Sequence, residues 1–280
     1  MTGDLTYRFG TSHGRIDLTS DVAMLASSAE LRSAEWSAEL GTHGLRSAPR
    51  RASTRKVMVC FSTWKALDDA LTGFSLDVDQ GKPGTLVAEH GWSQRAYVLA
   101  SEPEVGTSGG GICVTLTVAL LDGAWRRWAE PVELTVWDGS GAPQQWLDYP
   151  HPYPHGYASG RRAEGIDVAG ASPCPARLTF WGPCVDPYVT IGGNAYAMVG
   201  LTLASGERCV LDGTTYAATR VGVDGTETDV TALAQRGAGV GSGRYAFERV
   251  RPGWRPVSWS GSFGITVELC EERGEPTWAR

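Results

Sequence analysis

Period-two alternation dominates the chain. Ile112, Val114, Leu116, Val118 and Leu120 alternate with Cys113, Thr115, Thr117 and Ala119. Val132, Leu134 and Val136 alternate with Glu133, Thr135 and Trp137. Val57, Val59 and Phe61 do the same, as do Phe263, Ile265, Val267 and Leu269. Successive strand side chains face opposite ways, so each run predicts a half-buried strand. Shorter runs near 5–9, 31–38, 85–89, 95–100, 177–181, 187–191, 196–203, 207–211 and 215–221 predict further strands, punctuated by Gly, Pro, Asp and Ser. One segment keeps another period. Trp64, Leu67, Leu71, Phe74 and Val78 recur every third or fourth residue, the stripe of an amphipathic helix. Ser62 is placed to cap it, and Gly81, Pro83 and Gly84 to stop it, which predicts a helix over about 62–79. The second half shows no comparable stripe.

Turn chemistry at Asp138 to Pro143 breaks the pattern in mid-chain. Pro150, Pro152 and Pro154 then alternate with Tyr149, His151, Tyr153 and His155. Each proline fixes its own φ and pushes its predecessor to extended geometry. The expected organisation is mainly β with two domains. Residues 1–140 form an N-terminal β-rich domain with the helix, 141–161 an extended Pro-rich linker, and 162–280 a C-terminal β domain. No repeat of 20–50 residues is visible, which argues against a solenoid or propeller.

Composition narrows the partners. The 280 residues are 42% apolar and 20% charged, which excludes intrinsic disorder. The net charge is −6, and residues 1–140 already carry 17 acidic against 13 basic side chains. No global cationic face is offered to nucleic acid or an anionic membrane. The first 25 residues hold no apolar run, so no secretory leader is expected, and no apolar stretch approaches 18 residues. The six cysteines form no CxxC. They read mostly as buried free thiols of a protein folding in a reducing compartment, with disulfides the minority alternative.

Few side chains suggest chemistry. Gly106, Ser108 and Gly110 spell a G-x-S-x-G nucleophile elbow, but a strand rather than a helix follows, so the segment reads as a hairpin loop. His151 and His155 cannot share a helix face across Pro152 and Pro154, and Cys174 and Cys184 lie far downstream. Asp68 with Asp69 and Glu271 with Glu272 are sequence neighbours, which face apart on helix and strand alike. No catalytic set, metal set or cofactor is expected. Arg46, Arg50, Arg51, Arg55 and Lys56 put five positive charges within eleven residues. They read either as a solvated hairpin or as a contact for an acidic partner surface or passing nucleic acid. Trp254 and Trp259 lie around the bend from Arg251 to Pro256 and serve either the core or a sugar- or protein-binding surface.

The second half carries an ordered run of motifs. Phe180, Trp181, Gly182, Pro183 and Cys184 lead to Pro187 and the strand to Gly192 and Gly193, with Tyr196 following. Gly206 to Gly213, Val257 to Phe263 and the ending Arg273, Gly274, Glu275, Pro276, Thr277, Trp278 complete it. This order resembles the distal tail protein family of long-tailed, non-contractile bacteriophages of Gram-positive hosts. The resemblance covers about 175–278; the first half matches in layout, opening with Tyr7, Arg8, Phe9 and Gly10. It implies a structural virion protein at the tail tip, assembled in the host cytoplasm. Its N-terminal domain would close into a ring, typically six-fold, joining the tail tube protein to the tail-tip hub while viral DNA passes without specific binding. Its C-terminal domain would be an outward galectin-like β-sandwich able to anchor receptor-binding protein, without enzyme activity and without membrane contact. The basic residues 46–56 would then sit at a subunit interface. Two rivals are a carbohydrate-binding β-sandwich protein using Trp254 or Trp259, and a hydrolase using Ser108 or a carboxylate.

Overall fold

In the computed structural model, residues 5–12, 14–20, 22–27, 29–32, 37–47, 51–104, 112–136 and 164–275 are described. They are mainly β, with one α-helix among them. The expected linker, Ser108 and both linker histidines lie outside them. Contacts divide the chain into two units, Met1–Arg127 with Glu272–Arg280, and Trp128–Glu271.

The first unit opens with β1 (Leu5–Arg8), β2 (Arg15–Asp17) and β3 (Ala23–Ser27). A small hairpin follows, β4 (Glu39–Gly41) and β5 (Gly44–Ser47), then β6 (Ser53–Phe61) and the helix α1 (Trp64–Asp79). β7 (Gly84–Ala88), β8 (Ser93–Pro103), β9 (Ile112–Leu120) and β10 (Trp125–Trp128) complete the order. β2, β1, β7 and β8 lie side by side, and β9, β6 and β3 continue from the other edge of β8. The alternation seen in the sequence is the burial pattern. Val57, Val59 and Phe61 meet Val114, Leu116 and Val118 in one core. The register of β8 on β9 slips between Val98 and Ala100, leaving Leu99 as the extra, exposed residue of a bulge. The run expected as a strand at 31–38 is instead a 3-10 turn over Ala29–Arg32 where it is described, and Leu31 is buried there.

The helix is present, but its inward face is rotated from the expected stripe. It starts at Trp64, and Thr63 rather than Ser62 caps it, Oγ1 accepting from the Ala66 N–H at 3.2 Å. Leu67, Ala70, Phe74 and Asp77 are buried, whereas Trp64 is 74% exposed and Val78 is also exposed. The aromatic contacts explain the rotation. Phe74 packs on Tyr7 and Phe9 with ring centroids 5.0 and 5.6 Å apart. A Cβ at Gly73 would meet the Phe9 ring at 2.4 Å, so only glycine lets that ring lie against the helix. Leu71 is half-buried beside this cluster. Leu71→Ala is therefore expected to cost about 1–2 kcal/mol in chemical denaturation, below the roughly 2–5 of a fully buried leucine; a larger loss would place Leu71 in the core.

The second unit contains two main sheets. β11 (Val132–Leu134), β12 (Glu164–Val168), β13 (Ala176–Trp181), β14 (Cys184–Val185), β15 (Tyr188–Ile191) and β16 (Asn194–Ala197) come first. β17 (Thr202–Leu203), β18 (Arg208–Asp212), β19 (Ala217–Val221), β20 (Glu227–Asp229), β21 (Gly253–Ser258) and β22 (Ile265–Arg273) follow. One antiparallel sheet runs β11, β22, β13, β18, β19, β20, and the other β12, β21, β15, β16. They share one core: Leu178, Phe180, Leu211 and Val267 from the first meet Ile166, Val189, Ile191 and Val257 from the second.

The cysteine expectation needs one correction. Cys60 and Cys113 are joined by a disulfide. They are direct register partners on β6 and β9 with Cα atoms 3.9 Å apart. Fifty-three residues of separation hid that pairing from a reading of local spacing. Cys174, Cys184, Cys209 and Cys270 are outside that disulfide, and burial pushes the Cys209 thiol up to about 12.

Candidate assembly surface

The basic segment is split between two elements. Arg46 lies exposed on β5 and Arg51 is exposed just before β6; Arg50 lies outside the described residues. Arg55 and Lys56 are on β6, where neighbouring side chains alternate sides. Arg55 is half-buried, its Nη1 donating to the Thr54 carbonyl at 3.3 Å. Lys56 is tied within the subunit: its Nζ stands 3.5 Å from Glu102 Oε2, and its backbone N–H donates to Glu30 Oε2 at 2.6 Å. Arg46, Arg51 and Lys56 are thus the exposed members of the described set, with Lys56 in a surface ion pair with Glu102.

Arg46 belongs to an unusual element. β4 and β5 pair with each other and with no other strand among the described residues. Leu40 and Leu45 are register partners, 80% and 63% exposed. A two-stranded hairpin is marginal in water by itself, and an exposed leucine pair adds to the cost. The turn Gly41, Thr42, His43, Gly44 between two leucines was the available sequence signal for it.

A second feature, Asp77, was invisible to the motif search. Its carboxylate is fully buried at the inner face of α1. Oδ1 accepts from the Thr11 N–H at 2.9 Å and the Thr11 hydroxyl at 2.8 Å. Oδ2 accepts from the Gly10 N–H and the Tyr7 hydroxyl, both at 3.1 Å. Tyr7 also reaches the Ala96 carbonyl at 3.1 Å. Burial first, and then the Asp77 charge, raises the Tyr7 phenol above its ordinary range. The four donors hold the loop after β1 onto the helix.

The other candidates come apart. Asp68 and Asp69 are exposed on α1, Asp69 3.5 Å from Lys65 Nζ. Glu272 pairs with Arg126 at 3.0 Å, and its sequence neighbour Glu271 belongs to the other unit. Among the described residues no group of three His, Cys, Asp or Glu is placed to hold a metal. The tryptophan pair divides sharply. Trp259 is 1% exposed and its Nε1 donates to the Phe263 carbonyl at 3.2 Å, which removes it as a binding platform. Trp254 on β21 is 65% exposed.

No family model matches the sequence, and no curated protein matches it. Solved structures do. The chain aligns with the crystal structure of SPP1 Dit (gp 19.1), presented as a paradigm of the hub adsorption apparatus in phages infecting Gram-positive bacteria. The TM-score is 0.54 at 8% identity, over 96% of this chain and 99% of that one. Chains of the phage P2 baseplate in its activated conformation match as well, with Ca at a TM-score of 0.60 and with Sr at 0.59. Both are 8% identical and cover 99% of this chain and 100% of theirs. The fold is shared with phage Dit and baseplate proteins. These neighbours agree with the family resemblance carried by the C-terminal motifs. They add that the likeness extends over both units, although the sequence of the first half resembled the family only in layout.

Proposed function

We propose that this chain is a distal tail protein, a structural, non-enzymatic component of a siphophage tail tip. The observation that carries the reading is the near end-to-end match to Dit and baseplate chains, with both units included. Residues 1–140 would form the ring domain, apart from β11, which pairs with β22 in the second unit; 141–161 would be the linker, and 162–280, apart from the segment after Glu271, an outward galectin-like β-sandwich for which the two-sheet core of the second unit is the physical support. The ring, expected to be six-fold, would join the tail tube protein to the tail-tip hub and anchor receptor-binding protein. DNA would pass through it without specific binding. Assembly would take place in the host bacterial cytoplasm.

A closed ring needs a heterologous contact, in which one surface of each subunit meets a different surface of the next. The β4–β5 hairpin suits such a contact. Burial against a neighbour would remove Leu40 and Leu45 from water and support a hairpin that pairs with no other strand among the described residues. Arg46 and Arg51 would meet an acidic neighbour, since the first half carries more carboxylates than cations. A cationic lining of the lumen is disfavoured, because it would retain the passing polyanion.

The test is the assembled particle. Tail-tip density is expected to show this chain as a ring on the tail axis; density as a monomeric decoration away from the axis would end the ring reading. Arg46→Glu with Arg51→Glu is expected to cut incorporation into tails by about tenfold, equivalent to about 1.4 kcal/mol per contact, while the free chain stays folded. Unchanged incorporation would remove these arginines from the interface and leave the ring intact.

A further inference from the structure

The second unit holds a pocket that neither the fold comparison nor the tail-tip reading uses. It has a volume of about 210 Å³ and lies beside the turn between β15 and β16. Three stretches wall it: that turn with Gly192 and Gly193, the glycine-rich loop with Gly241 and Gly243, and the segment from Glu248 to Arg255. Its charged lining is three arginines, Arg249, Arg251 and Arg255, against one carboxylate, Glu248. That carboxylate is already engaged, Oε2 accepting from the Gly241 N–H at 2.6 Å. Arg251 and Arg255 by themselves outweigh Glu248, so the lining is net cationic in a chain whose net charge is −6.

The arginines are held differently. Arg255 Nε donates to the Arg251 carbonyl at 3.0 Å, and its Nη2 to the Pro252 carbonyl. A guanidinium has five N–H donors, so three are left over. Its stem lies against Gly192, where a Cβ would come within 3.0 Å of Cδ. Arg249 donates to the Pro173 carbonyl at 3.1 Å. Arg251 is exposed and makes no ion pair among the described residues. At Gly193 and Gly241, φ is +91° and +80°, and a Cβ at either would meet no atom within 4 Å. These walls are bare backbone, which permits close approach of a ligand.

We propose that this pocket binds a phosphate group, as free anion or as an ester on a larger molecule. Arginine forks match the paired oxygens of phosphate, and a partly occupied guanidinium such as Arg255 is already oriented. A volume of about 210 Å³ accommodates a phosphate and the first atoms attached to it. Trp254 is not part of the site. It follows the opposite parity to Arg255 on β21, and its indole lies over Gly165 of β12 instead.

The experiment is titration of the full chain with inorganic phosphate, glycerol 3-phosphate and acetate, read by amide chemical shifts at low salt. Saturable phosphate binding with Kd of about 1 mM is expected, with shifts at 192–193 and 241–255. Arg251→Gln should weaken it at least about fivefold, Arg251→Lys less, and Trp254→Ala not at all. Arg251 makes no bond that folding needs, so its variants report binding, while Arg255→Gln tests the second fork. Glycerol 3-phosphate binding as tightly as phosphate assigns the site to an ester; tighter inorganic phosphate assigns it to the free anion. Acetate binding as tightly as phosphate, no saturation, or Arg251→Gln without effect would overturn the proposal. None of these outcomes bears on whether the chain forms a ring.

Discussion

Replacing Asp77 by alanine is expected to destabilise the first unit by about 3–5 kcal/mol. The side chain is completely buried, and its two oxygens accept four hydrogen bonds, two from backbone N–H groups and two from hydroxyls. A hydrogen bond to a charged group contributes about 1.5–3 kcal/mol, and each buried donor left without a partner costs about 1–3. The values do not add, because Tyr7 can turn wholly to the Ala96 carbonyl and Thr11 can reach water. Against a domain stability of about 5–15 kcal/mol the loss is a large fraction. Asp77→Asn keeps one oxygen but points an amide donor at the Gly10 N–H or at Thr11; a smaller loss of about 2 kcal/mol is expected. Tyr7→Phe removes one of four donors and should cost about 1 kcal/mol. Urea unfolding resolves these cases, with the transition of the first unit moving and that of the second unit staying in place. An unshifted first transition in Asp77→Ala would show that the loop after β1 is held by something else.

Asp77 also shows where sequence reading stops. On a helix that also carries Asp68, Asp69 and Asp79, one more carboxylate looks like part of a solvated face. Yet it stands three residues after Phe74 and seven after Ala70, a core position in every helical template. The expected stripe instead ran through Trp64 and Val78 because they are apolar, and apolar residues do not have to be inside. β6 and β9 were legible because a sheet with one buried face enforces alternation residue by residue. Their register was not, so Cys60 opposite Cys113 went unseen. Two- and three-residue strands such as β14, β17 and β20 carry too few positions for any period to show. β21 was hidden by Pro252 and Pro256, which make a strand read as a bend. With β21 hidden, Trp254 and Trp259 stayed equivalent candidates, and the arginines on either side of Trp254 had no pocket to line.

The structure separates those tryptophans, and the separation has a large measurable consequence. Trp259→Ala is expected to cost the second unit about 3–5 kcal/mol, the range for truncating a buried large aromatic. Two losses combine. The indole is among the largest fully buried side chains, in the core that both sheets of the unit share, so its removal leaves a cavity and loses transfer energy. Its Nε1–H also satisfies the Phe263 carbonyl across the turn of Ser260, Gly261 and Ser262. Trp259→Phe should recover most of the packing but not the hydrogen bond, and so fall about 1–2 kcal/mol below the parent. Trp254→Ala is the counterpart. Its indole lies over Gly165 with most of its surface in water, so stability should stay within about 0.5 kcal/mol. The pair also tests the carbohydrate-binding rival. Of the two, Trp254 is the one open to a sugar ring, so glycan binding lost in Trp254→Ala at unchanged stability would revive that reading. Thermal unfolding should show a lowered transition for Trp259→Ala and none for Trp254→Ala. The reverse order would mean that the turn at 259–263 is open to solvent and that β21 presents its other face.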